Sequence, residues 1–184
     1  MKKIIAMMLV TLLLVTSSGV DVSARNIKRD REWASQVYYE YECKNRGRYM
    51  EIDLNGDTVK ECISLNPQRG VVYIYACKDC RAKVLLARKG FGDYGYVGYN
   101  AKKHLVVFKG DLGRYRMGMY VYKVGKNKCV ETEYMWKTTY GKPSYWINGK
   151  KVSKKKYNKK IKYYTNITKS MKKYGYKVPK SQYM

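Results

Sequence analysis

What most limits the fold of this chain is the recurrence of short apolar-alternating runs on either side of turn-forming residues. Tyr49–Leu54 and Val59–Leu65 flank Asn55-Gly56-Asp57, and Val71–Ala76 and Ala82–Arg88 flank Cys77-Lys78-Asp79-Cys80. Leu105–Lys109 leads into Gly110-Asp111-Leu112-Gly113. Tyr115–Val124 and Cys129–Thr138 flank Gly125-Lys126-Asn127, and Tyr145–Ile147 and Lys151–Val152 flank Asn148-Gly149. Period-two alternation puts successive side chains on opposite faces of a strand. Connections this short join only antiparallel neighbours, because a parallel crossover needs a dozen residues or more. Asn-Gly supplies the positive φ angles of a type I′ hairpin turn. The expected fold class is therefore mainly β (α+β), an antiparallel meander or partly closed barrel of about eight strands with an N-terminal and a C-terminal helix.

The two helices declare themselves by a change of period. Trp33, Val37 and Tyr41 recur every four residues with Ala34 and Tyr38 beside them, a stripe running to about Cys43. Asp30 is the expected N-cap and Glu32 suits the positive end of the dipole. Asn45-Arg46-Gly47 carries the chemistry of a helix end. Ser153 is the expected cap of the second helix, whose Tyr157, Ile161 and Tyr164 share one face while lysines occupy the rest. Between strands, Asn66–Gly70 reads as a loop, and the glycine-punctuated stretch Lys89–Gly98 as a loop with a short irregular strand around Tyr96 and Tyr99. The stretch beyond Thr168 is polar, basic and weakly patterned, and is expected to be mobile.

Residues 1–24 read as a secretory signal: Lys2 and Lys3, an apolar run from Ile4 to Val15, then the small-residue site Val22-Ser23-Ala24. The apolar run falls short of the ~20 residues a membrane span requires. Residues 25–168 are then expected to form a single β-rich domain with flanking helices, and residues 169–184 a basic tail. The expected location is extracellular or cell-wall associated, with no transmembrane segment after cleavage. Loss of Lys2, Lys3 and Asp21 with the signal changes the formal charge of +25 by one unit only. Such a chain attracts polyanions, and for an exported protein the anionic cell-wall polymer is the natural one. No Asp or Glu follows Glu133, whereas Lys154, Lys155, Lys156, Lys159, Lys160 and Lys162 crowd the second helix. Single-signed blocks of this kind act as polyanion-binding segments. Lysine without arginine favours diffuse attraction over bidentate phosphate recognition, so no specific nucleic acid is expected as partner.

Asp53, Asn55, Asp57 and Glu61 place oxygen-bearing side chains at the first, third, fifth and ninth positions of one loop. Ca²⁺ takes six to eight oxygens, so these four are a candidate ligand set, with a structural hairpin as the alternative. Thr58 stands where such a loop is expected to need positive φ, which is costly for a β-branched residue. Cys77 and Cys80 are a candidate disulfide; reduced thiols, or a zinc site shared with Cys43 and Cys62, are the other readings. His104 is the only histidine and reads as a surface residue. No nucleophile motif surrounds any Ser or Cys and no carboxylate pair of glycosidase type is identifiable, so no enzyme activity is expected.

Trp33–Tyr41, the run Tyr49–Glu61 and the ending Tyr145-Trp146-Ile147-Asn148-Gly149-Lys150-Lys151-Val152-Ser153 together resemble a group of secreted, β-rich Firmicutes proteins of undefined function. Those carry an Asp-x-Asn-Gly-Asp-x-x-x-Glu loop similar to the calcium loops of FG-GAP and integrin-type repeats. The resemblance implies an exported β-rich module, in some members with a calcium loop, and brings no catalytic residues. This chain departs from the group at Thr58, where Gly is usual, and at Cys62, where Leu is usual.

Overall fold

The computed structural model describes residues 27–40, 48–66, 70–89 and 96–171. Residues 27–40 are helical (α1). Sheet I follows, built from β1 (Arg48–Ile52), β2 (Glu61–Asn66), β3 (Val71–Lys78) and β4 (Arg81–Lys89) in that order. Sheet II contains β5 (Tyr96–Asn100), β6 (Leu105–Asp111), β7 (Arg116–Val124), β8 (Cys129–Thr138), β9 (Tyr145–Ile147) and β10 (Lys150–Val152). Helix α2 (Lys154–Ile167) comes next, and β11 (Lys169–Ser170) closes the described chain. The order across sheet II is β10-β9-β8-β7-β6-β5-β11, every neighbour antiparallel.

Three apolar clusters stack these elements into four layers. Tyr38 and Ala34 of α1 pack on Tyr49, Cys62, Tyr75 and Cys77 of sheet I. The other face of sheet I, with Ile63, Leu65, Val72 and Ile74, meets Val106, Phe108, Tyr120 and Tyr122 of sheet II. The outer face of sheet II, with Val107, Met119, Val121 and Met135, is covered by Tyr157, Ile161 and Tyr164 of α2. The central strands of both sheets are thus covered on both faces, which is why Gly118–Tyr122 is continuously buried instead of alternating.

The antiparallel, hairpin-linked β architecture with a helix towards each end matches the expectation. Among the described residues the strands number eleven in two open sheets, against the expectation of about eight in one meander or partly closed barrel. The two sheets bury their inner faces against each other and each carries a helix on its outer face, so burial of both faces is reached without closure into a barrel. Two hairpin turns carry the paired positive φ angles of type I′, Asp79 (53°) with Cys80 (56°), and Asn148 (49°) with Gly149 (75°). The stretch around Tyr96 is a regular strand paired with both β6 and β11.

Two helix expectations meet different outcomes. Ser153 caps α2 as read, its Oγ accepting the Lys156 N–H at 3.2 Å. Asp30 instead lies within α1, is buried, and its carboxylate accepts the N–H groups of Asp79 (3.1 Å) and Cys80 (2.9 Å). It caps the β3–β4 turn from the neighbouring layer, not the helix that carries it. The boundary set at residue 168 also moves, because Lys169 and Ser170 pair with Tyr99 and Gly98 and Met171 is fully buried. The signal segment 1–24, the helix end at Asn45–Gly47, Cys43 and residues 172–184 lie outside the described residues.

Candidate functional site

The loop from Asp53 to Glu61 sits where α1, sheet I and sheet II meet, and its polar side chains fold it. Asp53 accepts the N–H of Gly56 through Oδ1 (2.8 Å) and that of Thr58 through Oδ2 (3.0 Å). Asn55 Oδ1 accepts the Asp57 N–H and Asp57 Oδ1 the Val59 N–H, each at 2.9 Å. Glu61 reaches back across the loop: Oε2 accepts the Leu54 N–H (2.7 Å) and Oε1 the Asn55 Nδ2 amide (2.6 Å). Every oxygen-bearing residue of the candidate set therefore holds a donor of the loop itself. Successive Asx turns of this kind replace the ladder that a tight hairpin would have made.

Thr58 has φ of +74°, the left-handed conformation expected from its place in the motif. Its Oγ1 accepts a hydrogen bond from the Arg31 guanidinium of α1. Gly56, at φ +78°, faces His104, whose Cε1 would lie 3.1 Å from a Cβ there. His104 Nδ1 stands 2.7 Å from the Leu54 carbonyl, an acceptor that requires the Nδ1–H tautomer. The residue read as an isolated surface histidine thus ties the β5–β6 connection to the loop. That contact has no local sequence signal, since fifty residues separate the partners.

Glu61 is the electrostatic centre of the loop. Only 1% of it is exposed. Burial pushes its carboxyl up to about 8, helped by Asp57 and Asp53 and opposed by the hydrogen bonds from Leu54 and Asn55. Among the described residues no three of His, Cys, Asp and Glu gather closely enough to hold a metal ion. Asp53, Asn55, Asp57 and Glu61 are brought to one loop, with their carboxylates turned towards separate backbone donors.

Cys77, Cys80 and Cys129 are free thiols. Of the readings left open, the candidate disulfide between Cys77 and Cys80 is not formed: Cys77 points into the cluster beneath α1, beside Cys62, while Cys80 occupies the second corner of the I′ turn. Burial raises the Cys77 thiol to about 11 and the Cys129 thiol to about 12, values that suppress thiolate chemistry.

The lysines of α2 divide into two groups. Lys154, Lys155, Lys156, Lys159 and Lys162 are exposed. Lys160 is half-buried and donates to Glu133 Oε1 at 2.6 Å, so it is committed to the fold and not to a ligand. No helix of the described residues is long and apolar enough to cross a membrane. Comparison with protein-family models, with curated proteins and with solved structures finds no match to this chain.

Proposed function

We propose that this chain is an exported, non-enzymatic binding protein held at the cell surface by anionic wall polymer, with the exposed lysines of α2 as its contact. The observation that supports this most is the charge of that helix: Lys154, Lys155, Lys156, Lys159 and Lys162 face solvent with no carboxylate paired to them among the described residues. Tyr157 and Tyr164 anchor the opposite side in the core, so the charged face is rigid. A one-signed patch of this kind raises the local concentration of an anionic polymer and accelerates its encounter. Lys160, already paired with Glu133, is set aside from the contact.

The test is binding of the purified protein to isolated cell walls over a salt series from about 0.05 to about 0.5 M, where screening shortens from ~14 to ~4 Å. Binding should fall steeply with salt, and Lys→Gln at positions 154, 155, 159 and 162 together should remove most of it. Binding that ignores both salt and these substitutions defeats the proposal. Double-stranded DNA serves as the control polyanion and should bind without sequence preference.

A second reading, a calcium-stabilised structural domain, draws on Glu61. Burial beside Asp53 and Asp57 raises the Glu61 carboxyl to about 8, so it holds its proton at neutral pH, and a hard cation bound by the loop would displace that proton and restore a carboxylate ligand. Calorimetry with Ca²⁺ should then give a saturable heat and a rise in Tm at millimolar ion. Absence of both removes this reading and leaves the loop as a structural hairpin.

A further inference from the structure

We infer that the cleft between α2 and sheet II binds a small organic anion, one that carries a single acidic group on an apolar ring or short chain. The face of sheet II beneath α2 is apolar along Val107, Met119 and Met135. Two residues further along the same strands and on the same face come Lys109, Met117 and Lys137. There the sheet is no longer sealed by the helix, and a cavity of about 200 Å³ remains, lined from the sheet by these residues and from α2 by Tyr157, Asn158 and Ile161.

The register sets the geometry. Met117 lies directly opposite Lys137, and Met119 directly opposite Lys109, so the two lysines flank β7 on a diagonal that passes between Met117 and Met119. Two strand spacings and a two-residue offset along the strand set them about 12 Å apart, a span across which two extended lysine side chains reach one acid group. Both lysines are half-buried. Among the described residues neither lysine belongs to an ion pair such as Arg88–Glu131 or Lys160–Glu133. Glu133, on the same face of β8, is held by Lys160. Asp111, opposite Met117, is exposed and turns Oδ1 to the Gly113 N–H at 2.8 Å. Lysines that line a cavity and have no counter-charge of their own favour an anionic occupant.

The remaining walls select for hydrocarbon. Met117 is 41% exposed, and its thioether, with the Tyr157 ring and Ile161, offers an adaptable apolar surface. The cavity is smaller than the roughly 300–1,000 Å³ typical of sites for drug-sized ligands, so it suits a single ring or short chain. An inorganic anion would leave the apolar wall wet, and a neutral ring would leave the ammonium groups unpaired.

Three probes added to the full chain separate these contributions: benzoate, its neutral analogue benzamide, and acetate. Benzoate should give saturable shifts of the backbone amides of Met117, Lys137 and Asn158 in heteronuclear NMR. Benzamide and acetate should each bind at least roughly tenfold more weakly. Lys109→Met with Lys137→Met, which keeps the stems and removes the charges, should abolish benzoate binding. Met117→Glu, at a position exposed enough to accept it, should do the same by setting a carboxylate between the lysines. The inference is overturned if benzoate binds no better than acetate, if its shifts map to the exposed lysines of α2, or if folded Met117→Glu binds it unchanged. Wall binding, which uses the outer face of α2, should survive Met117→Glu, so the two proposals fail independently.

Discussion

Replacing Glu61 with glutamine should change the pH dependence of stability more than stability itself. In the folded chain the Glu61 carboxyl is raised from its ordinary value of 4.5 to about 8, chiefly by burial. A group whose folded pKa is raised contributes stability that is complete below the unfolded pKa and is lost as pH rises through the folded one. The relevant window is therefore pH 4.5 to about 8, with stability falling across it. One proton at about 1.4 kcal/mol per pH unit over that window amounts to roughly 5 kcal/mol as a ceiling. That is a large share of the roughly 5–15 kcal/mol that typically holds a domain of this size together.

The side-chain amide introduced by Glu61→Gln cannot titrate, so its slope from this source is zero. It also presents an NH₂ group to one of the two donors that Glu61 accepts, the Leu54 N–H and the Asn55 amide. The Leu54 bond is fixed by the backbone, so the mismatch falls on Asn55 and costs about 1–3 kcal/mol. The two effects cross: Glu61→Gln should be less stable than the parent near pH 5 and more stable near pH 8.5. Urea unfolding at half-unit pH steps measures this, and the difference between the two proteins cancels every other titrating group. Parallel profiles would refute the reasoning, because they would mean that Glu61 has the same proton affinity folded and unfolded. Saturating Ca²⁺ provides a further reading: an ion bound at the loop would keep Glu61 charged and flatten the slope of the parent alone.

Three further outcomes are expected. Thr58→Asn should raise stability by about 1 kcal/mol, since Asn tolerates the φ of +74° that a β-branched residue resists, while Thr58→Val should lower it by a similar amount through loss of the hydroxyl; urea midpoints decide the sign of each. Gly118→Ala should cost about 3 kcal/mol or more, because a Cβ there would collide with the Met135 carbonyl oxygen on the paired strand, and a loss under about 1 kcal/mol by urea unfolding would contradict that geometry. In a Cys43→Ser background, Cys80 should be the first thiol to react with a disulfide reagent at neutral pH, ahead of Cys77 and Cys129, whose thiols burial has raised; comparable labelling rates at Cys77, followed by mass spectrometry, would exclude the burial seen for it.

The elements were readable in the sequence wherever the signal is local. Asn148-Gly149 specified its I′ turn, Ser153 its helix cap, and Thr58 its strained φ, because each depends on residues within a few positions. What was not readable depends on partners brought together by the fold. Asp30 has the spacing of an N-cap, yet its two donors lie about fifty residues away, and burial beneath the β3–β4 turn decides where its carboxylate goes. The second sheet was hidden for a related reason. A strand covered on both faces loses its alternation, so the run Gly118–Tyr122 indicates that it is buried without saying by what. For the candidate sites the contrast is similar. The α2 lysines were visible as a block, but the commitment of Lys160 to Glu133 required the register of β8 against the helix. Lys109 and Lys137 became a pair only when the register set them diagonally across β7, opposite Met119 and Met117.

The same contacts account for how four layers keep one registration. Apolar faces give cohesion but tolerate sliding, since hydrocarbon contacts are not directional. Here each junction carries a polar contact to an atom whose position the fold fixes. Tyr38 donates to the Lys60 carbonyl at 2.7 Å and Asp30 accepts from the β3–β4 turn, joining α1 at two points to the end of sheet I where β2 begins and β3 turns into β4. His104 engages the Leu54 carbonyl between sheets I and II, and Lys160 engages Glu133 between sheet II and α2. A slide of one layer by one residue would leave these groups without partners in addition to disturbing the apolar packing, and an unmade buried hydrogen bond costs about 1–3 kcal/mol. The loop from Asp53 to Glu61 contributes to two of these junctions at once, through Leu54 and Lys60. Its polar side chains therefore act first on the backbone they fold, holding two carbonyls where the neighbouring layers can reach them.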